Sequence, residues 1–264
     1  MGLLKQETFV CVDCESTGLD RENDRIIEVG AIRFTLDKVL DRFETLVDPG
    51  RPIPEESQRI HRITDKMVEG KPPIEEVLPT LLPFLDKAII IGHGISFDIE
   101  LISNAAKRAE IATTLPSRKT IDTLRLARYY GQSPKNSLEG LRKHFNIPAE
   151  MAHRAMDDAY INMEVFKRLI APFKTTEQLF QTLEKPILLP KMPLGKHKGR
   201  PFAEVPVDYL RWAVRQEFDI DLLYSIKQEL KKRQSGQGFG QAANPFAVLS
   251  ANEEDNQEAQ EEGP

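Results

Sequence analysis

Between Thr8 and Glu15 the sequence runs TFVCVDCE, an apolar, β-branched stretch that stops at the turn-forming STGLD and carries two carboxylates, Asp13 and Glu15, two residues apart. Alternation and β-branching favour extended chain, and the small polar residues end it, so the pattern predicts a buried strand. At a period of two, Asp13 and Glu15 project from the same face of that strand. Two carboxylates held together on an apolar strand repel each other, and a divalent cation is the usual resolution. The other reading is a strand end whose acids face water.

The rest of the chain builds an α/β domain around this strand. RIIEVGAIRFT and VLDRFETLVD predict two more strands of an antiparallel meander, joined by LDK. PEESQRIHRIT and IEEVLPTLLPFL predict helices, each entered after proline and acidic residues. AIIIGH is a continuous apolar run of the kind found in central strands, and SFDIELISNAAKRAEI follows it as an amphipathic helix. TIDTLRLARYY, SLEGLRKHF and HRAMDDAYINMEVFKRLIAPF read as three further helices. Strands first and alternating elements afterwards predict a mixed sheet flanked by helices over residues 1–175. Pro186, Pro190 and Pro193 then mark a linker, placed at 176–190. A small, mainly helical basic module is expected at 191–233 and a disordered acidic tail at 234–264.

Charge is unevenly spread along the chain. Residues 1–184 hold 25 basic and 29 acidic side chains, residues 185–233 hold 11 and 6, and residues 234–264 hold 0 and 6. A basic segment beside an acidic domain suits a phosphate-backbone partner, with a plain solvated surface as the alternative. The hydrophobic fraction of 40% supports a sizeable core, and no stretch has the length of apolar residues that a membrane helix needs. The start MGLLKQETFVCVD lacks the charge and apolar core of a signal peptide, which predicts a cytoplasmic protein with no membrane partner. Cys11 and Cys14, three apart on a strand, face opposite ways, so neither a disulfide nor a zinc pair is expected.

Other acids join the first two. Asp98 lies at the start of the helix after AIIIGH, within reach of the central strand's end. In HRAMDDAY, Asp158 shares a helical face with Ala155, Val165 and Leu169, whereas Asp157 shares one with Glu164 and Arg168. Asp158 is therefore expected to point inward and Asp157 toward water. His153 lies about 140° from Asp158 on an ideal helix, so both can serve one site only if His153 precedes the first turn. An all-oxygen set of this kind suits Mg²⁺ or Mn²⁺ rather than zinc. Glu28, among Ile26, Ile27, Val29 and Ile32, needs a structural or sugar-contacting role. Asp122 reads as a helix cap or first-turn acid.

Taken in order, DCESTGLD at 13–20, IIEVGAI at 26–32, IHRIT at 60–64, GHGISFD at 92–98, DTLRLAR at 122–128 and HRAMDDA at 153–159 resemble the motifs of the DEDDh exonucleases. More narrowly, they resemble the proofreading epsilon subunit of bacterial DNA polymerase III and its relatives, over about the first 170 residues. The resemblance implies a ribonuclease-H-like fold and release of nucleoside monophosphates from DNA 3′ ends, in proofreading, repair or end trimming. RNA trimming at the same site and a catalytically idle, nucleic-acid-binding or polymerase-associated module are the alternatives. It further implies that Asp13, Glu15, Asp98 and Asp158 hold two metals, Mg²⁺ or Mn²⁺, roughly 4 Å apart, with His153 as general base. Ser16, Thr17, Gly18 and Leu19 would contact the terminal nucleotide, with His61, His93 and Phe97 nearby, and a replicative polymerase is an expected partner. The family usually carries Asn where this chain has Gly94 and Gly where it has Arg62, so the metal chemistry is expected to be kept while substrate preference is where a difference is expected.

In the basic module, MPLGKHKGRPFAEVPVDYLRWAV resembles a short bacterial module with a G-K-x-K-G-R turn and a P-x-x-Y-L-x-W helix. Lys196, Lys198 and Arg200 are candidate phosphate contacts and Tyr209 and Trp212 candidate stacking residues; the alternative is that the two aromatics form the module's core.

Overall fold

A computed structural model describes residues 2–86, 88–148 and 154–240 of the chain. Its first elements are β1 (Phe9–Ser16), β2 (Ile26–Phe34), β3 (Val39–Leu46), α1 (Glu55–His61), α2 (Asp65–Val68) and α3 (Ile74–Asp86). They are followed by β4 (Ile89–Gly92), α4 (Ser96–Arg108), β5 (Thr120–Asp122), α5 (Thr123–Tyr130), α6 (Leu138–His144), α7 (Ala155–Leu169) and α8 (Thr176–Glu184). Last come α9 (Val207–Ala213) and α10 (Ile220–Gly240). The strands form one sheet in the order β3-β2-β1-β4-β5. β1 and β3 run antiparallel to β2, whereas β4 runs parallel to both β1 and β5. This is the mixed sheet flanked by helices that the pattern of elements led us to expect.

Alternation along β1 sorts its side chains into two cores. Val10, Val12 and Cys14 join α3 and α4 on one face. Phe9 and Cys11 join α5, α6, α7 and α8 on the other. The edge strand β3 is mostly exposed and carries Asp41, Arg42 and Glu44, charges that discourage pairing with another chain. Helix α3 tolerates Pro79 and Pro83 because they lie four residues apart on its exposed face, where the carbonyls left without an amide partner can reach water.

Three boundaries differ from the sequence reading. Thr120–Asp122, read as part of a helix, is a strand on β4, and Asp122 then caps α5 by accepting from the Leu124 N–H. Three residues are too few to show a strand period. The stretch 176–190, read as a linker, is divided between two compact units that meet at Lys185 and Pro186. Leu179 and Leu183, four apart on α8, bury into the second core, while the Ile187 and Leu189 amides donate to Asp221 and Ser225 of α10. Helix α10 continues to Gly240, beyond the point where a disordered tail was expected, because extending a formed helix costs far less than starting one. Residues 241–264 of that tail lie outside the described residues.

The second unit has its own small core, including Met192, Phe202, Leu210, Leu222 and Ile226. Among the described residues no helix is long and apolar enough to cross a membrane.

Candidate metal centre

The two layers of helices deliver their acids to the carboxyl end of β1. Asp13 and Glu15 point to the α7 face, and Asp158, from the first turn of α7, meets them there. One ligand oxygen from each of Asp13, Glu15 and Asp158 lies within 4.8 Å of the other two. Asp98 arrives from α4 on the opposite face. It is buried, and its Oδ1 accepts from the Cys14 N–H at 3.0 Å, the amide that lies between the two strand carboxylates. That bond fixes the α4 carboxylate against the same strand end.

What allows α7 to come so close is a missing side chain. Gly30 is the register partner of Asp13 on β2. A Cβ at that position would lie 2.3 Å from the Ala155 carbonyl carbon and 2.4 Å from the Met156 nitrogen. The first turn of α7 therefore rests on the bare backbone of Gly30, directly across from Asp13.

A second device holds the same turn. Glu28, paired across the ladder with Glu15, is fully buried. It accepts from Arg154 Nε at 2.9 Å and from the Ala155 N–H at 3.0 Å. Of the two roles open from sequence, the structure gives Glu28 the structural one: it clamps the start of α7. Composition and spacing gave no sign of its partner, which is 126 residues away. Glu28→Gln keeps the shape but weakens a buried, charge-assisted pair. It is expected to destabilise the fold by about 2 kcal/mol, the scale for losing charge-assisted hydrogen bonds to a partner that keeps some contact with water. Chemical denaturation of the two proteins at one pH checks this.

The electrostatics of the cluster call for a cation. Burial, followed by repulsion from Asp98 and Asp158, raises the Asp13 carboxyl well above its ordinary range. Burial and then Asp158 push Glu15 up to about 8. Burial likewise lifts Asp98 to about 7, although the Cys14 N–H opposes the rise. The Asp13, Glu15 and Asp98 carboxyls resist ionising alone, and with Asp158 beside the first two they offer hard oxygen donors that fit Mg²⁺ or Mn²⁺, whose charge would remove the repulsion.

The sign of the resulting pH dependence is fixed. The Asp13, Glu15 and Asp98 carboxyls titrate higher in the folded protein than in the unfolded chain, so the fold binds more protons between about pH 4 and the raised values of about 7 and 8. Metal-free protein is therefore expected to lose stability as pH rises from 5 to 8. The gain in melting temperature from added Mg²⁺ should be larger at pH 8 than at pH 5.5. A gain that shrinks as pH rises would reject the site.

The other residues singled out from sequence take several places. Leu19, three residues past the end of β1, is an apolar side chain left 88% exposed. Ser16 Oγ donates to the Gly18 carbonyl, and Thr17 is buried with its hydroxyl donating to Asp24. Phe97 precedes Asp98 and is partly buried, with the Arg21 guanidinium 5.9 Å from its ring centre. His61 is buried. Its Nδ1 accepts from the Ile63 N–H, while Nε2 has no hydrogen-bond partner among the described residues. His93 Nδ1 lies 3.1 Å from Thr123 Oγ1, and burial pulls its imidazole down to about 4. His153 lies outside the described residues, one position before Arg154 in sequence.

Comparison with known proteins fits this geometry. The sequence model of a family described as Exonuclease (RNase_T) matches residues 10–166, more than half of the chain. The chain belongs to this exonuclease family. Over 163 residues the exonuclease is 37% identical to the PolC-type DNA polymerase III of Caldanaerobacter subterraneus subsp. tengcongensis, covering 61% of this chain and 11% of that one. Thus it spans only about a tenth of the PolC-type relatives it matches. Over 166 residues it is 35% identical to the DNA polymerase III subunit epsilon of Treponema pallidum, covering 62% of this chain and 76% of that one. Among solved structures it resembles Exonuclease X in complex with 5′ overhanging duplex DNA. The TM-score is 0.53 at 27% identity, covering 66% of this chain and 98% of that one. The exonuclease unit thus has the ribonuclease-H-like fold. Residues 181–226 match a separate family described as a quorum-sensing-regulated virulence factor, well short of half the chain.

Proposed function

We propose that this exonuclease shortens DNA from the 3′ end, releasing nucleoside monophosphates. The observation that carries the reading is the convergence of Asp13, Glu15 and Asp158, with Asp98 clamped against the strand between the first two. Two divalent cations, Mg²⁺ or Mn²⁺, bound by these four carboxylates would supply the positive charge that activates water and steadies a leaving oxygen. The protein's own part is positioning. β1 sets the spacing of Asp13 and Glu15, Gly30 and Glu28 seat the helix that carries Asp158, and the Cys14 amide orients Asp98. His153 is assigned as the base that takes the proton from the attacking water, a task suited to an imidazole titrating near neutrality.

The exposed Leu19, with Phe97 and the segment Ser16–Gly18, supplies the surface for a terminal nucleotide, where an apolar side chain can lie against a base. The DNA in the Exonuclease X complex supports DNA as the substrate, and the epsilon and PolC-type relatives support work beside a replicative polymerase.

The test is to incubate the chain with Mg²⁺ or Mn²⁺ and 5′-labelled single-stranded, paired and 3′-mismatched DNA, and with RNA. A ladder that shortens from the 3′ end is expected, together with its absence in an Asp13→Ala, Glu15→Ala control. Intact ends with both proteins would reject the enzyme, and early release of the labelled 5′ mononucleotide would reverse the direction. Faster shortening of RNA than of DNA would replace the substrate.

A further inference from the structure

We propose that the small C-terminal unit carries a binding surface for single-stranded DNA, formed by the exposed indole of Trp212 beside Tyr209 and the cationic turn from Lys196 to Arg200. The unit packs its core without Trp212. Leu210 and Ala213 are the α9 residues buried in that core, whereas the Trp212 side chain, the chain's one tryptophan, is 51% exposed. That answers the alternative raised by the sequence, in which both aromatics would be core residues. Tyr209 is only partly buried against the core. Its ring centre lies 5.2 Å from that of Trp212 and 4.6 Å from that of His197, which meets it nearly edge-on. The Lys196 ammonium sits 5.2 Å from the same ring centre.

The turn is shaped to lie against this aromatic pair. Gly195 and Gly199 take φ values of 70° and 84°, left-handed conformations that favour glycine, and a Cβ at Gly195 would lie 2.5 Å from the Tyr209 oxygen. Lys196, Lys198 and Arg200 form no ion pair with an acidic residue among the described residues. Two acids of the unit have partners of their own: Asp208 pairs with Arg211 and Glu229 with Arg233. Both ring nitrogens of His197 are buried and hydrogen-bond to nothing among the described residues, although buried polar atoms nearly always find a partner.

Cations beside a half-open indole match the two demands of a single strand, a phosphate chain to neutralise and unpaired bases to stack. A duplex hides its base faces, and an acidic peptide offers no flat partner for the indole.

The surface is independent of the proposed hydrolysis, so it is tested in the full-length Asp13→Ala, Glu15→Ala chain with EDTA present. Because Trp212 is the chain's one tryptophan, its emission reports on this surface alone. Titrating a short oligothymidylate is expected to quench that emission saturably, while an abasic strand of equal charge should bind with little quenching. Trp212→Ala should weaken binding about 5- to 100-fold, followed by anisotropy of a labelled strand. Joint replacement of Lys196, Lys198 and Arg200 by alanine should lower the slope of log affinity against log salt by about 2. Unchanged tryptophan emission at saturating strand overturns the proposal, as does an unchanged salt slope in the triple variant. Equal affinity for duplex and single strand removes the stacking role, and tighter binding of oligouridylate overturns the assignment to DNA. Because catalysis is disabled throughout, failure here leaves the exonuclease reading intact.

Discussion

Replacing Gly30 by alanine is expected to lower hydrolysis by about 100-fold and to cut stability, although Gly30 bears no functional group. The added methyl would meet the Ala155 carbonyl carbon at 2.3 Å, the Met156 nitrogen at 2.4 Å and the Ala155 oxygen at 2.5 Å. All three are backbone atoms in and beside the first turn of α7, so no flexible side chain can move aside. Either β2 or α7 must shift, and Asp158 shifts with α7. Overpacking of this kind costs about 1–3 kcal/mol. For a unit of this size that is a drop of roughly 3–10 °C in melting temperature. Misplacing a reacting group by about 1 Å can cost two orders of magnitude in rate, which sets the expected loss of turnover. Melting curves and initial rates on a labelled strand, with wild type alongside, check both effects. A Gly30→Ala protein that melts and cuts like wild type would show that α7 is not seated by this contact.

Asp158→Asn and Asp157→Asn separate two adjacent aspartates that differ only in helical face. Asp158 is the one that reaches Asp13 and Glu15. Its replacement should cost turnover about 10²- to 10³-fold, the scale for losing one positioned electrostatic group. The metal-free protein should respond in the opposite direction. Repulsion from Asp158 helps to hold the Asp13 and Glu15 carboxyls high. Neutralising Asp158 lowers both, so the Asp158→Asn fold should melt higher than wild type in EDTA at pH 8. Asp157→Asn should change neither quantity in this pattern. A variant that loses activity and also melts lower without metal would mean that Asp158 acts by holding the helix rather than by its charge.

Local patterns in the sequence reveal local facts. Alternation in FVCVDCE was enough to put Asp13 and Glu15 on one face, and the helical spacing around residue 158 was enough to turn Asp158 inward. What escaped is what depends on two distant segments meeting. Glu28 showed only as an anomaly until Arg154 and the Ala155 amide reached it from the other end of the domain. Gly30 drew no attention in the sequence, because the helix that needs its bare backbone begins more than a hundred residues later. Asp98 was placed mostly by the order and spacing of the motifs, whereas its bond to the Cys14 amide gives a physical reason for its position. Strand β5 is three residues long and borrows its order from β4, so it left no period to read.

Arg62 and Gly94, the two positions set apart above from the motif pattern that the sequence resembles, share a backbone property. Arg62 caps α1 with φ 62° and ψ 14°, and Gly94 has φ 77°. Both are left-handed positions, where glycine is at ease and asparagine is tolerated better than most residues. Glycine and asparagine are near-synonyms in such a place. Gly94 for Asn therefore changes the spelling of a turn without changing its sense, and the amide that is lost need not be a lost reader of the substrate. Arg62 is the costlier word, since a long side chain there carries a strain of about 1 kcal/mol or more. The grammar of the turn accounts for the first departure, and only the second leaves a side chain whose presence the backbone does not ask for.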